Sequence, residues 1–370
     1  MNNTAKTSQT WARLQAGFLA AALILTTGAA AARDHDDVPY LPTLPRVVST
    51  IPTNGDANPY GVAFVPKGFP SGGMLNAGDV LVSNFNNAAN LQGTGTTIIR
   101  TPATGSPSLF FQAPAPAGLT AALVVLRAGY VIVGSLPTLD GTSATAKPGS
   151  LFVIDKNGKL VSTLTNPALV DGPWGAAVQD YGSQAILFIS NVINGTIVRF
   201  TLNIGTSGIT FGNPTTIASG YTHRPDPAAL ELGPSGLFYD ARHDELFVAS
   251  SADNAVYAVY DAGDTRRDNG VGRLVYQDLT HLHGPLDLAM APNGHLLVAD
   301  SDGSNMDPNQ PSEIVEFTTD GQFVRQLSID PNNGGAFGLA VERTGDDVSQ
   351  FAAVDDNAVT LTIWTLVSAD

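Results

Sequence analysis

The chain has 370 residues, no cysteine, and 33 acidic against 18 basic residues, giving a formal net charge of −15 at pH 7. Such acidity repels nucleic acid and anionic lipid, so neither is expected as a partner. The missing cysteines exclude disulfides, thiolate metal sites and a cysteine nucleophile.

At the start of the chain, Lys6 and Arg13 lead into an apolar run over 16–31, and Ala30-Ala31-Ala32 offers a small-residue cleavage site. Residues 1–32 therefore read as a secretory signal peptide, and an exported, periplasmic or extracellular protein is expected. The alternative is an uncleaved anchor, for which the run is short and alanine-rich, since a span needs about 20 apolar residues. No later stretch is apolar enough to cross a bilayer. Cleavage after Ala32 would expose Arg33-Asp34-His35, whose free amine and third-place histidine can wrap square-planar Cu2+ or Ni2+. Residues 33–45 read as a linker and 46–370 as one domain.

From residue 60 onward one phrase recurs: a Gly/Pro-led entry, an apolar strand, a turn, and a second strand ending in Asn, Ser or Asp. The clearest copy runs from Gly284-Pro285 through Ala291-Pro292-Asn293-Gly294 to Leu296-Leu297-Val298-Ala299-Asp300-Ser301. Six units follow in order, over 60–112, 120–164, 174–218, 236–278, 286–328 and 337–366. Each holds four short strands except the last, which holds three. The apolar, β-branched stretch 46–51 stands ahead of the first unit and supplies the missing strand. Four-stranded units in a ring leave an open edge unless the ends join. The expected fold is an all-β, six-bladed β-propeller of four-stranded antiparallel blades, closed by the N-terminal strand joining the last blade. A linear solenoid is the alternative, and it would need capping units that are not seen.

Pro292-Asn293-Gly294, Lys156-Asn157-Gly158 and Thr319-Asp320-Gly321 are tight hairpin turns, where Asn-Gly and Asp-Gly supply positive φ. The longer connections, 84–95, 136–149, 219–235 and 301–312, would all leave the sheets at one end of the ring. Elaboration on a single face is expected, and long loops in a compact fold are commonly functional.

The fifth unit, with its Gly-Pro entry, Ala-Pro-Asn-Gly turn and Leu-Leu-Val-Ala-Asp-Ser strand end, resembles the NHL repeat. Gly233-Pro234-Ser235-Gly236-Leu237 and Gly172-Pro173-Trp174-Gly175 are weaker copies. The resemblance implies a propeller of the kind found in exported binding proteins and in the peptidyl-hydroxyglycine lyase domain. More distantly it resembles the gluconolactonase and strictosidine-synthase propellers, which implies an axial Glu/Asn/Asp set for a divalent cation.

Several residues could carry function. The second-strand ends bring oxygen-bearing side chains toward the channel mouth, and Asn84, Asn191, Asp253, Asp300 and Asp355 are candidate ligands for Ca2+ or another divalent cation. The competing expectation is that these residues end strands by bonding local backbone. The 300–307 stretch is rich in oxygen but lacks the Gly and Glu placement of an EF-hand. On the loop-rich face, His223, Arg224, Asp226, His281, His283 and Asp287 are candidate ligand-binding residues, with Asp287 on an innermost strand. His243 and His295 fall in turns of the opposite end, where solvent exposure is expected. No G-x-S-x-G, P-loop, H-E-x-x-H or dinucleotide fingerprint occurs. The leading expectation is a monomeric binding module that takes a protein or small molecule on its loop-rich face. The alternative is a lactonase-like hydrolase or lyase with an axial divalent cation.

Overall fold

The structure, a computed structural model, describes Tyr40, residues 46–301, 309, 311 and 313–367. The leader over 1–32, the Arg33-Asp34-His35 start, the linker apart from Tyr40, and the oxygen-rich 302–307 stretch lie outside the described residues.

Alternation of apolar and small residues, punctuated by turn residues, folds the chain into strands that pair with their sequence neighbours. Strand β1 (Arg46–Ser49) precedes blade one, formed by β2 (Ala57–Phe64), β3 (Val80–Asn86), β4 (Thr97–Thr101) and β5 (Ser108–Gln112). Blade two is β6 (Leu119–Leu126), β7 (Tyr130–Ser135), β8 (Ser150–Asp155) and β9 (Leu160–Leu164). Blade three is β10 (Pro173–Asp180), β11 (Gln184–Asn191), β12 (Thr196–Gly205) and β13 (Gly208–Ser219). A ribbon of β14 (Arg224–Asp226) and β15 (Leu230–Leu232) comes next. Blade four is β16 (Pro234–Asp240), β17 (Glu245–Ser250), β18 (Ala255–Tyr260) and β19 (Arg273–Tyr276). Blade five is β20 (Pro285–Met290), β21 (Leu296–Asp300), β22 (Glu313–Phe317) and β23 (Phe323–Ser328). Blade six is β24 (Ala336–Arg343), β25 (Val348–Asp355) and β26 (Thr360–Val367).

The sixth sheet has the order β1-β26-β25-β24, so the N-terminal strand closes the ring as expected. Its register sets Arg46 opposite Ile363 and Ser49 opposite Thr360. Arg46 also donates to the carbonyls of Pro102, Ala103 and Gly105, which ties the closing strand to blade one.

The six first strands pack on one another around the axis. Each carries a register shift after its first residues, as between Pro59 and Val62, Pro173 and Ala176, and Ala336 and Leu339. The shift lets a backbone segment from each blade reach its neighbour, and small side chains there are a steric necessity. A Cβ on Gly338 would lie 1.8 Å from the carbonyl oxygen of Tyr60, across the seam between blades six and one. Inter-blade cores of Val, Leu, Ile and Phe fill the wedges between sheets, for example Leu187, Ile189, Val198 and Phe200 against Val124, Leu126 and Ile132.

Two expectations need correction. Elaboration is found on both rims, because 65–79 joins β2 to β3 and 261–272 joins β18 to β19, both at the short-turn end. Neither shows as strand in the sequence, and each is held by bonds to another blade: Met74 N donates to Lys156 O at 2.9 Å, and Asn269 N to Ile217 O at 2.9 Å. The second correction is His295, which is 3% exposed. Its Nδ1 lies 2.7 Å from Oε1 of the buried Glu316, and that carboxylate also accepts the Tyr40 amide at 2.9 Å. Burying a carboxylate is tolerated only with such partners. His243 is exposed as expected and pairs with Asp240.

Candidate functional site

Three connections of the loop-rich face interlock into a roof over the axis. Thr138 N donates to Gly93 O at 2.8 Å and Thr138 Oγ1 to Gln92 O at 2.5 Å, joining the loops of blades one and two. Gln92 Nε2 donates to Ala228 O at 3.2 Å, and the Ser143 hydroxyl donates to Leu230 O, joining both loops to the β14–β15 ribbon. Leu230 has φ +63, a conformation that costs a leucine roughly 1–2 kcal/mol. Burial of its side chain offsets that cost, because Leu230 seals a cluster of Tyr60, Phe85, Trp174, Val192 and Leu286. The rings of this cluster interlock, with Tyr60 centred 5.4 Å from Trp174 and 4.9 Å from Phe337. These first-strand aromatics plug the channel that the loops cover. Their sequence signal is an aromatic residue before the first-strand glycine, in Pro59-Tyr60-Gly61, Pro173-Trp174-Gly175 and Ala336-Phe337-Gly338.

Beneath the plug, blades are latched by side chains reaching into the next blade. Ser83 Oγ donates to Thr120 O at 2.8 Å, and Thr120 Oγ1 to Pro173 O at 2.6 Å. Ser190 Oγ donates to Ser235 O at 2.6 Å, and Ser235 Oγ to Pro285 O at 2.9 Å. Between blades five and six, Asp287 takes this role by accepting the Leu339 amide at 3.1 Å on Oδ2, while Oδ1 accepts Leu288 N at 2.9 Å. Sequence reading placed Asp287 on an inner strand and missed the latch, since each contact joins separate repeats.

Burial pushes the Asp287 carboxyl up to about 7, against the two backbone amides that lower it. Its folded value exceeds its unfolded one, so its contribution is fully present below pH ~4 and is lost as pH rises through about 7. A shift of that size corresponds to on the order of 4 kcal/mol. Thermal midpoints should therefore fall between pH 4.5 and 8, and Asp287→Asn should flatten that slope while lowering the midpoint at pH 4.5. A variant that keeps the full slope would remove Asp287 from this account.

The remaining candidates are placed as follows. Asn84, Asn191, Asp300 and Asp355 hold equivalent positions, each opposite a residue near the start of its blade's inner strand, just ahead of the register shift: Pro59, Pro173, Pro285 and Ala336. They stand one strand out from the axis. Asn84 Nδ2 donates to Thr97 Oγ1 and to Thr50 O, fastening the closing strand to blade one. Asn191 accepts Asp171 N at 3.0 Å and donates to Thr196 Oγ1 at 3.1 Å. Asp253, in the β17–β18 turn, accepts from Ser250 Oγ at 2.7 Å and Thr222 N at 3.3 Å. Asp355 accepts Ala358 N at 3.2 Å. Asp300 and His283 are brought together, with His283 N donating to Asp300 Oδ2 at 3.0 Å.

On the ribbon, exposed Arg224 pairs with Asp226 at 2.9 Å beside exposed His223. His281 lies away from them, its Nδ1 2.8 Å from Asp278 and its ring stacked on Phe323 at 3.8 Å. A calcium shell takes 6–8 oxygens. Among the described residues no three His, Asp or Glu side chains group to hold a metal, and oxygens of Asn191, Asp253, Asp300 and Asp355 accept hydrogen bonds from neighbouring groups. Two further carboxyls near the roof are raised by burial: Glu231 to about 6 and Asp356, beside Asp355 and Tyr60, to about 7.

No protein-family profile matches the chain, and no curated protein matches it in sequence. Solved structures do share its architecture. A gluconolactonase from Xanthomonas campestris superposes with TM-score 0.52 at 12% identity, over 88% of this chain and 90% of that one. An α-L-arabinofuranosidase from Fusarium graminearum gives 0.52 at 12%, over 88% and 98%. A luciferin-regenerating enzyme gives 0.50 at 11%, over 88% and 96%. The likeness is of fold. Among the described residues no helix is long and apolar enough to cross a membrane.

Proposed function

We propose that this chain is an exported, NHL-like β-propeller that works as a binding module, taking its partner on the roofed face. One observation carries the reading: three loops from different blades are bonded to one another and seated on a buried aromatic plug. A surface assembled before binding loses little entropy when it binds. Its joined loops present apolar Leu139 at 67% exposure and Leu91 at 39%, and its ribbon the exposed Arg224 side chain. Arginine is enriched at interaction hot spots, and exposed leucines add apolar area for a partner to bury. Export rests on the leader over 1–32.

The test compares variants. Leu139→Asp and Arg224→Glu should each abolish capture of the partner from the producing organism without moving the thermal midpoint. Tyr181→Asp, exposed on the opposite rim, should leave capture intact. Equal capture by all three proteins would place binding elsewhere.

A second reading is a lactonase-like hydrolase or lyase. It draws on the carboxyls of Glu231, Asp287 and Asp356, whose elevated values near neutrality are of the kind used in acid–base catalysis, and on the fold shared with a gluconolactonase. Turnover of glucono-1,5-lactone that a chelator abolishes would establish it over the first reading.

A further inference from the structure

A cleft lies on the short-turn rim, away from the roofed face, where the turns of blades two and three meet. It encloses about 780 Å³, within the range of small-molecule sites. One wall is the tip of the β12–β13 hairpin, which runs several residues beyond the strands expected there. Its backbone carries Ile204 and Gly205, and Tyr130 of blade two donates to Gly205 O at 3.0 Å to fix it. The back wall is tied by Arg127, whose amide donates to Asp180 Oδ2 at 2.6 Å. The long 65–79 loop closes the third side, because the Lys156 ammonium donates to Ser71 O.

The charge in this cleft opposes that of the protein. Of the lysines in the described body, Lys67, Lys147, Lys156 and Lys159, the last two line it. Neither forms an ion pair with a carboxylate among the described residues, although acids outnumber bases nearly two to one along the chain. Asp155 is the acid in the lining, and its Oδ1 is occupied by the amides of Asn157 and Lys159 at 2.9 and 3.0 Å. Leu160, Val161 and Ile204 add an apolar side, and the hydroxyls of Ser183, Thr206 and Ser207 make no hydrogen bond to described residues. At physiological ionic strength fields decay over about 8 Å, so the two ammonium groups, set against the one Asp155 carboxylate, leave the lining net positive despite the more distant acidic surface.

We propose that this cleft binds an amphipathic organic anion, with Lys159 and Lys156 holding its carboxylate, sulfonate or phosphate and the Leu160–Ile204 side its apolar body. The site is separate from the roofed face and does not depend on the reading proposed for it.

Fluorescence titration with 1-anilinonaphthalene-8-sulfonate tests this, with its uncharged analogue N-phenyl-1-naphthylamine as comparison. The intact protein should bind the sulfonate saturably, more tightly than the neutral amine, and less tightly as salt is raised. Reversing one exposed charge should weaken the sulfonate about 5-fold or more in Lys159→Glu and leave the neutral amine unchanged. Lys159 holds no loop, so this variant should fold; Lys156→Gln, which also frees the 65–79 loop, serves as the second. Arg343→Gln, in the cleft between blades four and five, should bind as the parent does. Absence of saturable binding, an unchanged Lys159→Glu, or loss in Arg343→Gln alone would each overturn the proposal.

Discussion

A chain beginning at Ile51 should lose the cooperative unfolding of the intact protein and associate through its open edge. The argument starts from β26, whose outer side is paired along Arg46–Ser49. Without β1 a row of backbone donors and acceptors on β26 faces solvent, the arrangement that templates edge-to-edge pairing. The loss is also one of hydrogen-bonded bridging to blade one, because Arg46 reaches Pro102 O at 3.1 Å and Ala103 O at 2.9 Å, and Thr50 O accepts from Asn84. At a net value of about 1 kcal/mol for each hydrogen bond, the sum is on the order of 5 kcal/mol, comparable to the stability of a whole domain. Light scattering and chemical denaturation measure both effects. A truncated chain that stays monomeric with an unchanged midpoint would mean that the ring is closed by other contacts.

Trp174→Ala should be the most damaging single substitution in the plug. Trp174 is 1% exposed and meets Tyr60 and Phe85 with ring centres 5.4 and 5.3 Å away. Truncating a buried tryptophan costs about 3–5 kcal/mol, part of it for the void left behind. At about 2–4 °C for each kcal/mol in larger domains, the thermal midpoint should fall by about 10 °C. Since Leu230 of the roof rests on the same cluster, the ribbon should also exchange amide hydrogens faster. A loss under about 1 kcal/mol would show that the plug is not the keystone of the roof.

How much of this could be read from the chain follows from which contacts are local. Blades were legible because alternation and Asn-Gly or Asp-Gly turns act within a few residues, and the turn at Gly158 (φ +75) or Gly321 (φ +92) forms where the residue pairs require it. The closing strand was legible because a three-stranded last unit needs a fourth. The latch from Ser83 to Thr120 or from Asp287 to Leu339 was not, since it joins positions 37 and 52 residues apart without any shared motif. His295 was misjudged for the same reason, as its partner Glu316 sits on another strand. Glu313 and Glu316 in the otherwise apolar β22 were the available sign that something buried must bond them. Asn84, Asn191, Asp300 and Asp355 stand at second-strand ends as the repeat suggested. The bond from Asn84 to Thr97 was not legible, because an Asn that bonds a neighbouring strand and one that binds a metal look alike in sequence.

Amide hydrogen exchange on the native protein addresses the roof directly. Thr94, Gly95, Thr138, Lys147 and Glu231 each donate a backbone hydrogen bond of 3.0 Å or less within it. If the roof is a preassembled surface on a plugged axis, these amides should be protected to nearly the degree of the blade strands beneath. Exchange at the rate of an open loop across all five would mean that the axis lies uncovered in solution, contrary to the account given.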